Sequence, residues 1–179
     1  MVVGVWRESP FGSFADVMIQ TPDGVRTLLA PSAEVAEFIS STYSFDYVVT
    51  GDVDARLTGD HLTVRAGTLD LSVTVGGPAP LDYLLRCVPG FLAARPAWLQ
   101  VIDPVASRIV PGVHTAGTAG NGRREYYGVR RTRRIVSVSG RHESTPLGGL
   151  ADLDPPVEFG FSSAPARPQL VSVTTTIEL

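Results

Sequence analysis

The chain has 179 residues, 18 acidic against 15 basic, a net charge of −3 and a single cysteine. That length is expected to fold as one domain, 1–179, which buries roughly 70% of its unfolded surface and needs no metal or disulfide to hold a core. All 15 basic residues are arginine. A guanidinium stays protonated and is no nucleophile, so Schiff-base chemistry, pyridoxal phosphate attachment, a lysine phosphate loop and a Ser-Lys pair are excluded within the chain.

The start, MVVGVWRESPFGSF, lacks the basic segment and apolar run of a signal peptide. The longest apolar helical stretch, 81–110, is interrupted by Arg86, Pro89, Arg95, Pro96, Asp103, Pro104 and Arg108, too often for a membrane span. With the lone Cys87 unable to form an internal bridge, the expectation is a cytoplasmic protein with no membrane partner.

FADVMIQ and VRTLLA flank the turn Thr21-Pro22-Asp23-Gly24, so 14–30 reads as a hairpin. Ser32 is placed to cap a short helix with Val35, Phe38 and Ile39 as its apolar stripe. Over 45–57, Phe45, Tyr47, Val49, Val53, Ala55 and Leu57 alternate with polar residues, the period of a half-buried strand. Gly59-Asp60 and Gly67-Thr68 suit two-residue loops with glycine first. They pair Thr58 with His61, Arg56 with Thr63, Asp54 with Arg65, and Ala66 with Leu69, giving a three-stranded meander. Its inward face carries Val53, Ala55, Leu57, Leu62, Val64, Ala66, Leu69, Leu71, Val73 and Val75. Residues 80–110 read as two or three short helices punctuated by Pro89-Gly90, Pro96 and Pro104. A Gly-rich loop follows at 113–124. Strands are expected at 125–139, 157–163 and 169–178, with 144–156 as a surface connection.

The fold class is therefore α+β, mainly antiparallel β. A closed or partly closed β-barrel with a short helical insertion at about 80–110 leads; an open antiparallel sheet backed by helices is the alternative.

Of the chemical candidates, Asp52, Asp54, Asp60, His61 and Asp70 lie on a flat ladder around Arg65. Such charges make an ion-paired outer face rather than the convergent ligands of a metal site, so no metal is expected. Gly117–Gly122 lacks the spacing of a phosphate-binding loop, and no cofactor is implied. Cys87, on an apolar helical stretch, reads as a core thiol. Trp98, at helical spacing from Ile102, reads as packing. No G-x-S-x-G or H-E-x-x-H occurs; His114 and His142 lie in or near loops and could act as acid or base, without a partner visible in sequence.

Seven arginines fall between 123 and 141, with doublets at 123–124, 130–131 and 133–134. In a strand each doublet sends one side chain to each face. With Val136 and Val138 setting the register, even positions face inward, which places Arg130, Arg134 and Tyr126 there. An inward guanidinium needs a carboxylate or a ligand's anionic group; the competing reading sets the doublets at the strand's frayed end or around a bulge at Gly128, with every guanidinium in water. Arginines interleaved with tyrosines can also hold nucleic acid, but the net charge and a pI of about 5.6 argue against it.

SPFGSFADVMIQTPDG…TLLAPS, GNGRREYYGVRR and DPPVEFGFSSAPARP…VTTT resemble an actinobacterial protein family of unknown function over nearly the whole chain, a likeness that implies no activity and no site. The S-P-F-G opening and β-rich pattern are also similar to acetoacetate decarboxylase-like barrels, but the Schiff-base lysine of that chemistry is missing here. The leading functional expectation is a barrel binding a small, partly apolar, anionic ligand through Arg130, Arg134 and Tyr126. The alternatives are an interaction protein acting as a homodimer, and a lysine-free enzyme using His114 or His142 with an arginine clamp.

Overall fold

The computed structural model describes residues 1–178, the side chain of Asn121 excepted. The chain is mostly antiparallel β and divides into two compact units, Met1–Thr74 with Val136–Leu150, and Val75–Ile135 with Ala151–Leu179. The strands β7 (Leu69–Pro78) and β9 (Arg124–His142) contribute residues to both.

In the first unit, β1 (Val2–Trp6), β2 (Phe14–Gln20), β3 (Arg26–Ala30) and β4 (Tyr47–Thr50) form a four-stranded sheet in that order. The expected 14–30 hairpin is β2–β3, with Gly24 at φ +88° closing its turn. The N-terminal strand is an addition to the expected elements: VVGVW pairs antiparallel with β2 and sets Gly4 opposite Asp16. A Cβ on Gly4 would collide with the Asp16 carboxylate and the Trp6 indole nitrogen, so glycine is what lets that carboxylate sit inside. Helix α1 (Ala33–Ser40) starts at Ser32, whose Oγ accepts from Val35 N at 3.3 Å. Val35, Ala36 and Ile39 bury against Leu28 and Ala30, and Phe38 packs alongside them.

The alternating run 45–57 is not one strand. It breaks at Gly51-Asp52 into β4, which joins β3 in parallel, and β5 (Val53–Thr58), which joins the other sheet. All four residues of β4, at the sheet's edge, are exposed rather than alternately buried. From β5 onward the meander follows the expected register. β5, β6 (His61–Ala66) and β7 pair with Thr58 opposite His61, Asp54 opposite Arg65 and Ala66 opposite Leu69. Gly59 and Gly67 both take positive φ. Leu62, Val64, Ala66, Leu69, Leu71 and Val73 are buried; on the edge strand β5, Leu57 is exposed.

The larger sheet runs β10-β9-β7-β6-β5, with β10 (Thr145–Pro146) at one end, while β8 (Ala116–Thr118) and β11 (Gln169–Glu178) also pair with β9. Among the described residues no pairing joins β10 to β5. In the second unit, α2 (Pro80–Leu85) and α3 (Pro96–Ile109) carry the expected helical stretch. Pro104 does not end α3: it lies inside the helix. Residues 93–94 lie against Gly128, where a Cβ would come 2.7 Å from Ala93 O. That contact puts the turn leading into α3 on one face of β9. The expected strand 157–163 is absent; only an isolated bridge, Glu158 to Ser163, occurs there. The loop 113–124 contains β8 and a 3-10 turn, Gly120–Gly122.

Candidate functional site

Strand β9 is where the arginines gather, and its pairing with β11 decides where they point. Ser172 pairs with Arg131 and Val173 with Val129, so Arg130 is an extra residue, a β-bulge. A bulge shifts the alternation by one. C-terminal to it, Thr132 and Arg134 share a face with Val171 and Gln169; N-terminal to it that same face carries Val129, Tyr127 and Glu125. Tyr126 and Gly128 are on the opposite face, with Arg131 and Arg133. Counting even positions back from Val138 therefore fails at the bulge: Tyr126 and Arg134 do not point the same way.

Tyr126 is buried, and its hydroxyl is engaged on both sides. It accepts from Gln100 Nε2 at 2.8 Å and donates to Glu178 Oε2 at 3.1 Å. Arg130 and Arg134 are exposed. The doublets 130–131 and 133–134 each divide their labour. Arg131 Nε donates to Asp82 Oδ1 at 2.9 Å and Arg133 Nε to Gly76 O at 2.9 Å, whereas Arg130 and Arg134 have no hydrogen bond or ion pair among the described residues. Between the doublets, Thr132 is buried, and its Oγ1 also has no protein partner.

Asp82 is fully buried and accepts from three donors: Arg131 and the Thr132 amide on Oδ1, and Arg86 Nε on Oδ2, each at 2.9 Å. The hydrogen bond from Arg131 above all, then that from Thr132 N, holds its carboxyl below the usual range despite burial. With Ala79 N donating to Thr132 O, the start of α2 takes over the hydrogen bonding of β9 where β7 ends. Sequence reasoning missed Asp82; the legible signal was its i,i+4 spacing to Arg86 on a helix opened by Pro80.

A second constellation lies between α3 and the following loop. His114 Nδ1 is 3.1 Å from Asp103 Oδ2, the nitrogen donating when the ring is neutral. Asp103 Oδ1 accepts from Thr115 N at 2.6 Å and Ala116 N at 3.2 Å, and Ser162 Oγ accepts from His114 N at 2.9 Å. Burial is the largest single influence on the Asp103 carboxyl and raises it. The bonds from His114, Thr115 and Ala116 together outweigh burial and leave it lowered. Close by, the rings of Tyr127 and Phe161 stack at 5.0 Å and 12°, and Gly117 leaves room for Phe161. His114 thus has the partner that its sequence neighbourhood did not reveal. His142, by contrast, ends β9 opposite Thr145.

Cys87 is exposed, not a core thiol, its Sγ donating to Tyr83 O at 3.5 Å; the helical segment around it covers the sheet with other residues. On the meander, Arg56 pairs with Asp54 at 2.9 Å and Arg65 lies 4.0 Å from Asp70, as an outer face of alternating charge. Among the described residues no three His, Cys, Asp or Glu side chains converge on a common point. Comparisons with protein-family models, curated proteins and solved structures give no match to this chain.

Proposed function

We propose that this protein binds a small, partly apolar anion beside the β9 bulge of its second unit, with the exposed Arg130 and Arg134 as the anion-holding groups. The observation that carries this is the division within the doublets: Arg131 and Arg133 are committed to Asp82 and Gly76, while Arg130 and Arg134 have no partner among the described residues. A guanidinium fork suits a carboxylate or phosphate. Arg134 shares its face with the amide of Gln169 and the aliphatic Val129 and Val173, a mixture matching a ligand with one charged and one apolar end. Tyr126, already hydrogen-bonded and on the other face, plays no part. A closed barrel would enclose such a ligand, but binding against an open sheet face needs none.

Native mass spectrometry of the purified chain, before and after denaturation, should release a small anion. Titration with anilinonaphthalenesulfonate, a partly apolar anion, gives an independent readout. Arg130→Met with Arg134→Met should weaken that binding by about 10- to 100-fold, the scale of two charge-assisted hydrogen-bond sets, with the circular dichroism spectrum unchanged. Undiminished binding by the double variant sinks the assignment.

A second reading, an enzyme with a histidine base, is favoured by one observation: the 3.1 Å contact that orients the His114 ring through Asp103. A carboxylate bonded to Nδ1 fixes the tautomer and leaves Nε2 to take a proton. Hydrolysis of simple aryl esters by the wild-type chain, lost in His114→Gln, would establish it; equal rates in both would remove it.

A further inference from the structure

The outer face of α3 is unlike that of a helix meant for water. Leu99 is buried, and Ile102 and Ala106 lie half-buried on the same side. The opposite side should then be polar. Instead Val101 (73% exposed), Val105 (47%) and Ile109 (50%) recur every four residues, a single stripe at 100° per residue. Ala97 and Pro104 are exposed beside it. Arg108 is the one charge on this face, and exposed Arg95 stands at the helix N-cap.

The local charge is one-sided. Across 83–112 the charged residues are Arg86, Arg95, Arg108 and Asp103, and Asp103 is turned inward to His114, Thr115 and Ala116. The charges that the helix and its lead-in segment expose are thus all positive, and the carboxylate beside α3 is that of Glu178, which reaches Gln100 through the Tyr126 hydroxyl. Phe91, 74% exposed, precedes the same helix.

We propose that the outer face of α3 docks on the surface of an anionic phospholipid bilayer, with Val101, Val105 and Ile109 entering the headgroup boundary and Arg95 and Arg108 meeting lipid phosphates. Exposed aliphatic side chains flanked by arginine are the composition of a helix that lies in the interface plane. At 14 residues α3 is too short to cross a bilayer, and no helix among the described residues is long and apolar enough to do so. A second copy of the chain is the weaker occupant: it would set the same exposed arginines of α3 and its lead-in against each other. This docking is independent of the β9 ligand site.

The test is flotation of the full chain with vesicles of phosphatidylglycerol and phosphatidylcholine, against vesicles of phosphatidylcholine alone. The chain should float with the anionic vesicles only, and release at about 1 M salt, where screening is nearly complete. Arg95→Gln with Arg108→Gln should lower partitioning on the order of tenfold. Val101→Asp with Val105→Asp, two exposed positions, should abolish it while the circular dichroism spectrum and the urea midpoint stay as in wild type. Failure to float with anionic vesicles, or flotation that survives Val101→Asp with Val105→Asp, overturns the proposal. So does a dimer by light scattering that the same double variant dissociates, since that assigns the face to a second copy.

Discussion

Asp16 is a carboxylate folded into the interior of the first unit, 1% exposed, accepting a 2.6 Å hydrogen bond from Trp6 Nε1. Burial pushes its pKa up to about 6, against which the indole bond works only weakly. Because the folded pKa is raised, the folded chain binds the proton more tightly than the unfolded one. The associated stability is complete below about pH 4 and is lost as pH rises through 6. A carboxyl group carried that far above its ordinary value near 4 favours the protonated fold by about 3 kcal/mol. Asp16→Asn cannot ionise, so its stability relative to wild type should rise by about 3 kcal/mol between pH 4 and pH 8, measured by urea unfolding at both. A constant difference would mean that folding leaves the Asp16 pKa where it is in the unfolded chain. Nothing in FADVMIQ marks Asp16 as buried: by period two it reads as outward between Ala15 and Val17. It is buried because β1 covers it, and VVGVW carries too weak a strand pattern to foresee that cover.

At the scale of elements, the sequence was most legible where turn chemistry and alternation agreed. Gly59 and Gly67 fix loop length, loop length fixes register, and one buried face then specifies the rest of the β5–β7 meander. Ser32 and its apolar stripe located α1 for the same reason, two local signals in one place. Legibility failed where a non-local partner decided. Gly51 splits one alternating run between two sheets, and 157–163 has strand composition but no neighbouring edge to join. Pro104 sits in mid-helix, where Ser107 Oγ and Arg108 Nη1 both donate to its carbonyl. The competing expectation sets a bulge at Gly128; the bulge falls two residues on, at Arg130, and an alternation carried unbroken from Val138 misplaces the even-numbered site residues. Gly128, just N-terminal to the bulge, is needed for close approach. Gly128→Ala would set a Cβ 2.7 Å from Ala93 O and 2.9 Å from Ala94 Cα, both backbone atoms. The expected cost is about 1–3 kcal/mol, seen as a lower urea midpoint; an unchanged midpoint would show that residues 93–94 can move aside.

Across the whole molecule, three acidic groups shape stability against pH in opposite senses. Asp16, raised, favours acid. Asp82 and Asp103, lowered, contribute stability that is present above about pH 4 and lost as pH falls through their folded values. Melting temperature should therefore peak in mildly acidic solution and fall on both sides. Asp16→Asn should remove the decline toward neutral pH, and Asp82→Asn should flatten the decline toward acid. A melting temperature independent of pH between about 4 and 8 would contradict this balance.

The extra residue in β9 bears on how this chain can change over generations. Pairing with β11 counts residues, not chemistry, so position 130 behaves as a punctuation mark in a three-dimensional reading frame. Exchanging Arg130 for another side chain keeps the frame. Deleting it would turn over everything on its N-terminal side: Tyr126 would leave its Gln100 and Glu178 partners, and Gly128 would no longer face Ala93. For the fold alone, relatives of this protein can exchange the letter at that position but not lose it; keeping arginine there is a demand of the ligand, keeping the residue a demand of the frame.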